Sequence, residues 1–194
     1  RMPLLIYGAD VNITEDITIR QLPALVDDKS WVEFMPKDVT KAVFGKFIKF
    51  YDPEVFIAAG RKIRAEAFNA DSLPPLERVR KITALFSCFK NPDKETVLTP
   101  WRVVNMHMSD CLGGYDFFNE AHSELVEAPR FVDRGDVTAE TFGNPNAVVL
   151  EINSKTGLYP LYVTYSIFRA KCATYPEKEL DAELQEKLWD DTVN

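Results

Sequence analysis

The sequence predicts an α/β chain, with a mainly helical N-terminal module followed by the start of an open sheet domain. Three observations carry that prediction. Apolar residues recur at helical spacing over much of 38–89. Acid-Pro and Thr-Pro pairs, Asp52-Pro53 and Thr99-Pro100, mark helix starts. A short apolar run at 147–152 then leads through a polar turn with one glycine, Gly157, into another helical stretch. A strand that feeds a helix in this way is the repeating unit of layered α/β folds.

The elements follow in order. Met2-Pro3-Leu4-Leu5-Ile6-Tyr7-Gly8 reads as a short buried strand closed by glycine. Short helices are expected in 14–28 and 29–35, broken around Pro23 and Pro36. In 38–51, Val39, Val43, Phe47 and Tyr51 recur every four residues with Ile48 beside them, which predicts one apolar helical face. Asp52 then caps a helix running to about residue 70, burying Phe56, Ala59, Ile63 and Ala67. After the break Ser72-Leu73-Pro74-Pro75, the stripe Leu76, Val79, Ile82, Leu85, Phe86 and Phe89 predicts a further helix. Thr99-Pro100 opens a helix to Leu112, ended by Gly113-Gly114. Residues 115–129 read as acidic and irregular, 131–142 as two short strands around Arg134-Gly135-Asp136, and 147–152 as a buried strand. Residues 158–174 and 177–190 read as helices.

Bulk properties bound the function. The chain has 194 residues, 46% hydrophobic and 27% charged, enough for one large or two small domains. No apolar run is long enough to span a membrane and no signal peptide opens the chain, so a cytoplasmic protein without membrane contact is expected. Arg1 in place of an initiator methionine points to an excised piece. Cys88, Cys111 and Cys172 have no metal spacing and read as reduced core thiols; no metal site is expected. The net charge of −7 argues against this chain being a main duplex-gripping surface, which leans on Lys and Arg.

The most informative phrase is Val148-Val149-Leu150-Glu151-Ile152-Asn153-Ser154-Lys155-Thr156-Gly157-Leu158. An acid at the end of a strand, then a glycine turn and a helix, places polar groups where open sheets bind ligands, and glycine permits close backbone approach. Its Lys-Thr-Gly does not make a phosphate loop, which needs glycine ahead of Lys-Ser/Thr. Taken by itself, each phrase is equally readable as scaffold.

Taken together and in this order, Thr99-Pro100 and Glu151 to Thr156-Gly157 resemble the amino-group, adenine-specific DNA methyltransferases of restriction-modification systems. The phrases 96–115 and 150–168 are most similar to the large fused helicase–coupler–methyltransferase members of bacteria, the Type ISP proteins. The resemblance implies a Rossmann-like methyltransferase sheet. It implies S-adenosylmethionine as cofactor, held through Thr99, Pro100, Glu151, Asn153, Thr156 and Gly157. It further implies that 1–12 is the tail of a helicase motor, 13–95 a helical coupler-like module, and 96–194 the N-terminal part of the methyltransferase domain. The adjoining helicase and methyltransferase parts would be partners within one polypeptide, with DNA as substrate and ATP and Mg serving the upstream motor. Lys155 and Ile152 depart from the family, which commonly has glycine and often proline there; a lysine crowds a cationic sulfonium.

Adenine amine methylation needs the base flipped out of the duplex, and the resemblance implies a loop of the form Asn/Asp-Pro-Pro-Tyr/Phe to hold it. Asn91-Pro92-Asp93, Leu73-Pro74-Pro75-Leu76 and Asn144-Pro145-Asn146 each lack part of it, so no catalytic residue is assigned and the loop is expected beyond Asn194. His107 reads as a packed or half-exposed helix residue and not as a general base, since no partner acid or nucleophile is evident. Tyr159, Tyr162, Tyr165 and Phe168 read as core, with Tyr159 also placed to meet a cofactor's adenine. Arg61, Lys62 and Arg64, with Arg78, Arg80 and Lys81, read either as a solvated face or as phosphate contacts. The alternative function is a non-catalytic helical coupling or interaction module with a vestigial cofactor-site scaffold.

Overall fold

The structure is a computed structural model that describes residues 12, 14–88, 98–150 and 156–194. The expected strand at 2–8 lies outside these residues. The chain is mixed α/β and divides into two compact units, 1–72 and 73–194.

In the first unit, α1 (Leu22–Leu25) and α2 (Asp28–Phe34) are followed by α3 (Lys41–Phe47) and α4 (Pro53–Asp71). The Asp27 side chain caps α2 through Ser30 N, and Asp52 caps α4 through Glu54 N and Val55 N. Ile17, Ile19, Leu22, Val26, Trp31, Phe44 and Phe56 form the core. The Trp31 and Phe44 rings meet edge to face at 5.2 Å, and the indole N–H donates to Val39 O at 2.8 Å. The apolar face expected from Val39, Val43, Phe47 and Tyr51 is not the buried one. Thr40 caps α3, accepting from Val43 N, and the chain tightens into a 3-10 turn at Ile48–Phe50. The four-residue period therefore never runs unbroken from 38 to 51. Phe44 is buried instead, while Phe47 and Tyr51 are exposed.

The second unit begins with α5 (Pro75–Ser87), whose Val79 is buried among residues of the later helices. The boundary between the two units falls in the chain ahead of α5, between residues 72 and 73. Helix α6 (Trp101–Cys111) follows, then strands β1 (Gly114–Phe118) and β2 (Leu125–Val132), the short α7 (Asp136–Thr138) and a π turn at Ala139–Gly143. Helices α8 (Leu158–Cys172) and α9 (Ala182–Val193) close the unit. The strands pair antiparallel, Gly114 opposite Val132 and Asp116 opposite Arg130, with a bulge between Asp116 and Phe118. Trp101, Val104, Phe117, Tyr162, Tyr165, Phe168 and Trp189 dominate the core.

The structure corrects several expectations. Residues 115–129 are not irregular, because they hold β1 and part of β2; the two strands expected in 131–142 are instead the end of β2 and the α7–π segment. Residues 147–150 form no strand, and Val148 and Leu150 stand 93% and 82% exposed. Thr99 does not cap α6: the capping position is Pro100, which has no side chain to donate or accept. Of the three thiols only Cys172 is core, whereas Cys88 and Cys111 are exposed. Among the described residues the sheet is two-stranded and antiparallel. No described helix is long and apolar enough to cross a membrane.

Candidate ligand cleft between helices α6 and α8

Helices α6 and α8 pack against each other and against β1. Polar side chains on both helices fix the strand between them. Asn105 on α6 donates to Trp101 O at 2.8 Å and accepts from Phe117 N at 2.8 Å. Ser166 on α8 accepts from Tyr115 N at 3.0 Å, and the Tyr162 hydroxyl donates to Gly113 O at 2.8 Å. The Tyr115 and Phe117 N–H groups of β1 and the Gly113 carbonyl just before it are thereby satisfied inside the unit. Burial pushes the Tyr162 phenol well above its ordinary range, with the Asp116 charge adding to it. Gly113 has φ +76°, and a Cβ there would collide with Val132 O and the Thr138 hydroxyl, so the turn from α6 into β1 requires glycine.

Beside this scaffold lies a cleft of about 640 Å³. Met108, Leu112 and Val163 give it apolar walls, and Val149 and Leu150 reach it from the stretch before α8. Thr99, His107, Tyr159 and Thr164 supply polar groups. His107 Nδ1 and the Tyr159 hydroxyl lie 3.1 Å apart, their rings edge to face at 5.7 Å, so the two helices are tied at the cleft wall. A mostly apolar hollow of this size with a few convergent polar groups matches small-molecule sites generally.

The expected site residues are distributed unevenly around it. Thr99 lines the cleft. Pro100 is the capping residue of α6 and is exposed. Thr156 and Gly157 immediately precede α8, and Gly157 takes φ +67° as its left-handed capping residue, with no side-chain cap on the helix start. Glu151 and Asn153 lie outside the described residues. The structure thus brings the starts of α6 and α8 to one cleft and adds His107 and Met108 to it. In the sequence His107 reads only as a packed or half-exposed helix residue; in the structure it is exposed. Its partner stands 52 positions further on, on a different helix, where no local spacing reveals it.

A second cluster has no counterpart in the sequence reading. Asp116, fully buried, accepts from Arg130 Nη2 at 2.7 Å and faces His122 Nε2 at 2.8 Å. The Ser109 hydroxyl is 3.3 Å from the same His122 nitrogen. A nucleophilic relay needs the acid on one ring nitrogen and the nucleophile on the other. Here both meet Nε2, so the cluster pins the hairpin and does not activate Ser109. Its only signal in the sequence is the pairing of Asp116 with Arg130, which depends on the strand register.

The four arginines of the basic set are also engaged locally. Arg61 pairs with Asp16, holding that carboxyl below its usual range, and Arg64 donates to Glu15 O. Arg78 pairs with Glu186, and Arg80 binds Glu77 and the carbonyls of Val126 and Glu127. Among the described residues no cluster of His, Cys, Asp and Glu could hold a metal ion. Compared with family models, curated proteins and solved structures, the chain matches none of them.

Proposed function

We propose that the second unit carries part of the S-adenosylmethionine site of an amino-group DNA methyltransferase. The parent would be a cytoplasmic restriction-modification protein with a Rossmann-like methyltransferase sheet and an ATP-dependent motor. The observation that supports this reading is a convergence. The Thr-Pro and Thr-Gly phrases are far apart in the chain, yet they start the two helices that wall one cleft.

The donor set fits the cofactor. Met108, Leu112 and Val163 offer apolar surface for the adenosyl group, and Tyr159 offers an aromatic face and a hydroxyl. Thr99 and Thr164 provide hydroxyls for its polar parts. Gly157, at the capping position of α8, has no side chain to occupy the helix start. The positive φ of Gly157 sets the direction in which that turn begins. Glu151 and Asn153 complete the set by resemblance. The bound cofactor would supply the methyl group; the residues here bind and orient it.

Calorimetric titration of the chain with S-adenosylmethionine tests the proposal. Saturable binding is expected, weakened at least about tenfold by Tyr159→Ala, which takes away the aromatic face. Gly157→Val should weaken it further, because a β-branched residue is an outlier at this φ. Absence of binding at millimolar cofactor would refute it.

One observation favours the second reading, a coupling or interaction module without cofactor. Val148 and Leu150, read from their apolar run as part of a buried strand, are exposed. That reading expects no heat in the same titration and no effect of Gly157→Val on any ligand.

A further inference from the structure

The first unit carries a surface unrelated to the cleft. Phe47, Phe50 and Tyr51 are 43%, 73% and 40% exposed, crowded into the end of α3 and the 3-10 turn that follows. The Phe47 and Phe50 rings lie 6.5 Å apart at 40° to one another. Lys46 and Lys49 are exposed among them, and Lys49 Nζ sits 5.0 Å from the Phe50 ring centre. Over residues 36–51 the charged residues are Lys37, Lys41, Lys46 and Lys49 against Asp38, within a chain of net charge −7, and Lys41 is paired with Asp28. The nearest following acid, Asp52, has its carboxylate bonded to the first turn of α4.

We infer that this aromatic–lysine surface binds single-stranded nucleic acid, the rings stacking on unpaired bases and Lys46 and Lys49 meeting phosphates. Exposed rings need the face of a base, which a duplex hides, and cations beside them match the backbone charge. A protein partner fits less well, because lysine is depleted from interface cores. A bilayer fits less well too, since a seven-residue helix and one 3-10 turn present no extended amphipathic face.

The test is fluorescence anisotropy of a labelled fifteen-nucleotide oligothymidine titrated with the full 194-residue chain at low salt. Saturable binding is expected, tighter than to a duplex of equal length. Phe50→Ala should weaken it about tenfold. The double variant Lys46→Ala/Lys49→Ala should lower the slope of log affinity against log salt by about 1.4, roughly 0.7 for each phosphate that is no longer neutralised. Both substitutions are at exposed positions, and unchanged circular dichroism would show that the fold is kept. The inference is overturned by absence of saturable binding, by a preference for duplex, or by variants that bind like the unsubstituted chain. It is equally overturned if Phe50→Ala abolishes self-association in sedimentation or binding to anionic vesicles while oligonucleotide binding is absent.

Discussion

Two apolar stretches of the second unit, Tyr115-Asp116-Phe117-Phe118 and Val148-Val149-Leu150, have opposite fates. The first is a strand with Phe117 and Phe118 buried; the second forms no strand and is largely exposed. By composition the Val-Val-Leu stretch is the better strand former, being β-branched and free of charge. What separates them is the set of polar partners. The first stretch finds β2 on one side, and Asn105 and Ser166 supply acceptors to its remaining N–H groups. Its one charge, Asp116, is matched by Arg130 and His122. Burial therefore follows the satisfaction of backbone and charge, not apolarity alone.

That comparison can be broken from the strand side. The largest effect is expected from Asp116→Ala, which leaves Arg130 without its buried partner. Urea unfolding should show a loss of about 3 kcal/mol or more. Asn105→Ala strands the Phe117 N–H and should cost about 1–3 kcal/mol in the same assay.

Tyr162 sharpens the comparison through pH. Its phenol titrates higher in the folded chain than its ordinary value of 10.0, so the folded state retains a proton that the unfolded state loses. The associated stability is present below pH 10 and is lost as the pH rises beyond it. Denaturation midpoints should fall at alkaline pH, and Tyr162→Phe should flatten that fall while costing stability at neutral pH. Buried Cys172 gives a smaller, kinetic contrast. Burial pushes its thiol up, lowering the reactive thiolate fraction. Exposed Cys88 and Cys111 should react with a chromogenic disulfide well before Cys172 does. At the weak end, Leu150→Ser should change stability by no more than about 0.5 kcal/mol, since the side chain is largely exposed.

The legible parts of the fold were those fixed by local chemistry. Asp52-Pro53 located the start of α4, and Gly113-Gly114 located the end of α6. The helical reading of 158–174 anticipated α8 within two residues. The hairpin was not legible, because its register rests on the Asp116–Arg130 pair and its bulge, which follow no local period. The buried face of α3 was missed because the Thr40 cap and the 3-10 turn shift the period, and no spacing rule reveals that. For the candidate cleft, motif resemblance pointed to Thr99, which lines it, and to Thr156 and Gly157, which precede α8. His107 and Met108 became visible only once α6 and α8 were seen to pack.

The central claim is that the starts of α6 and α8 form part of a cofactor site. Amide chemical shifts during a titration with S-adenosylmethionine test it most directly. Saturable shifts are predicted in the first turns of α6 and α8 and at His107, with the hairpin tip around Ser123 unmoved. No shifts at millimolar cofactor, or shifts confined to residues of the first unit, would contradict it.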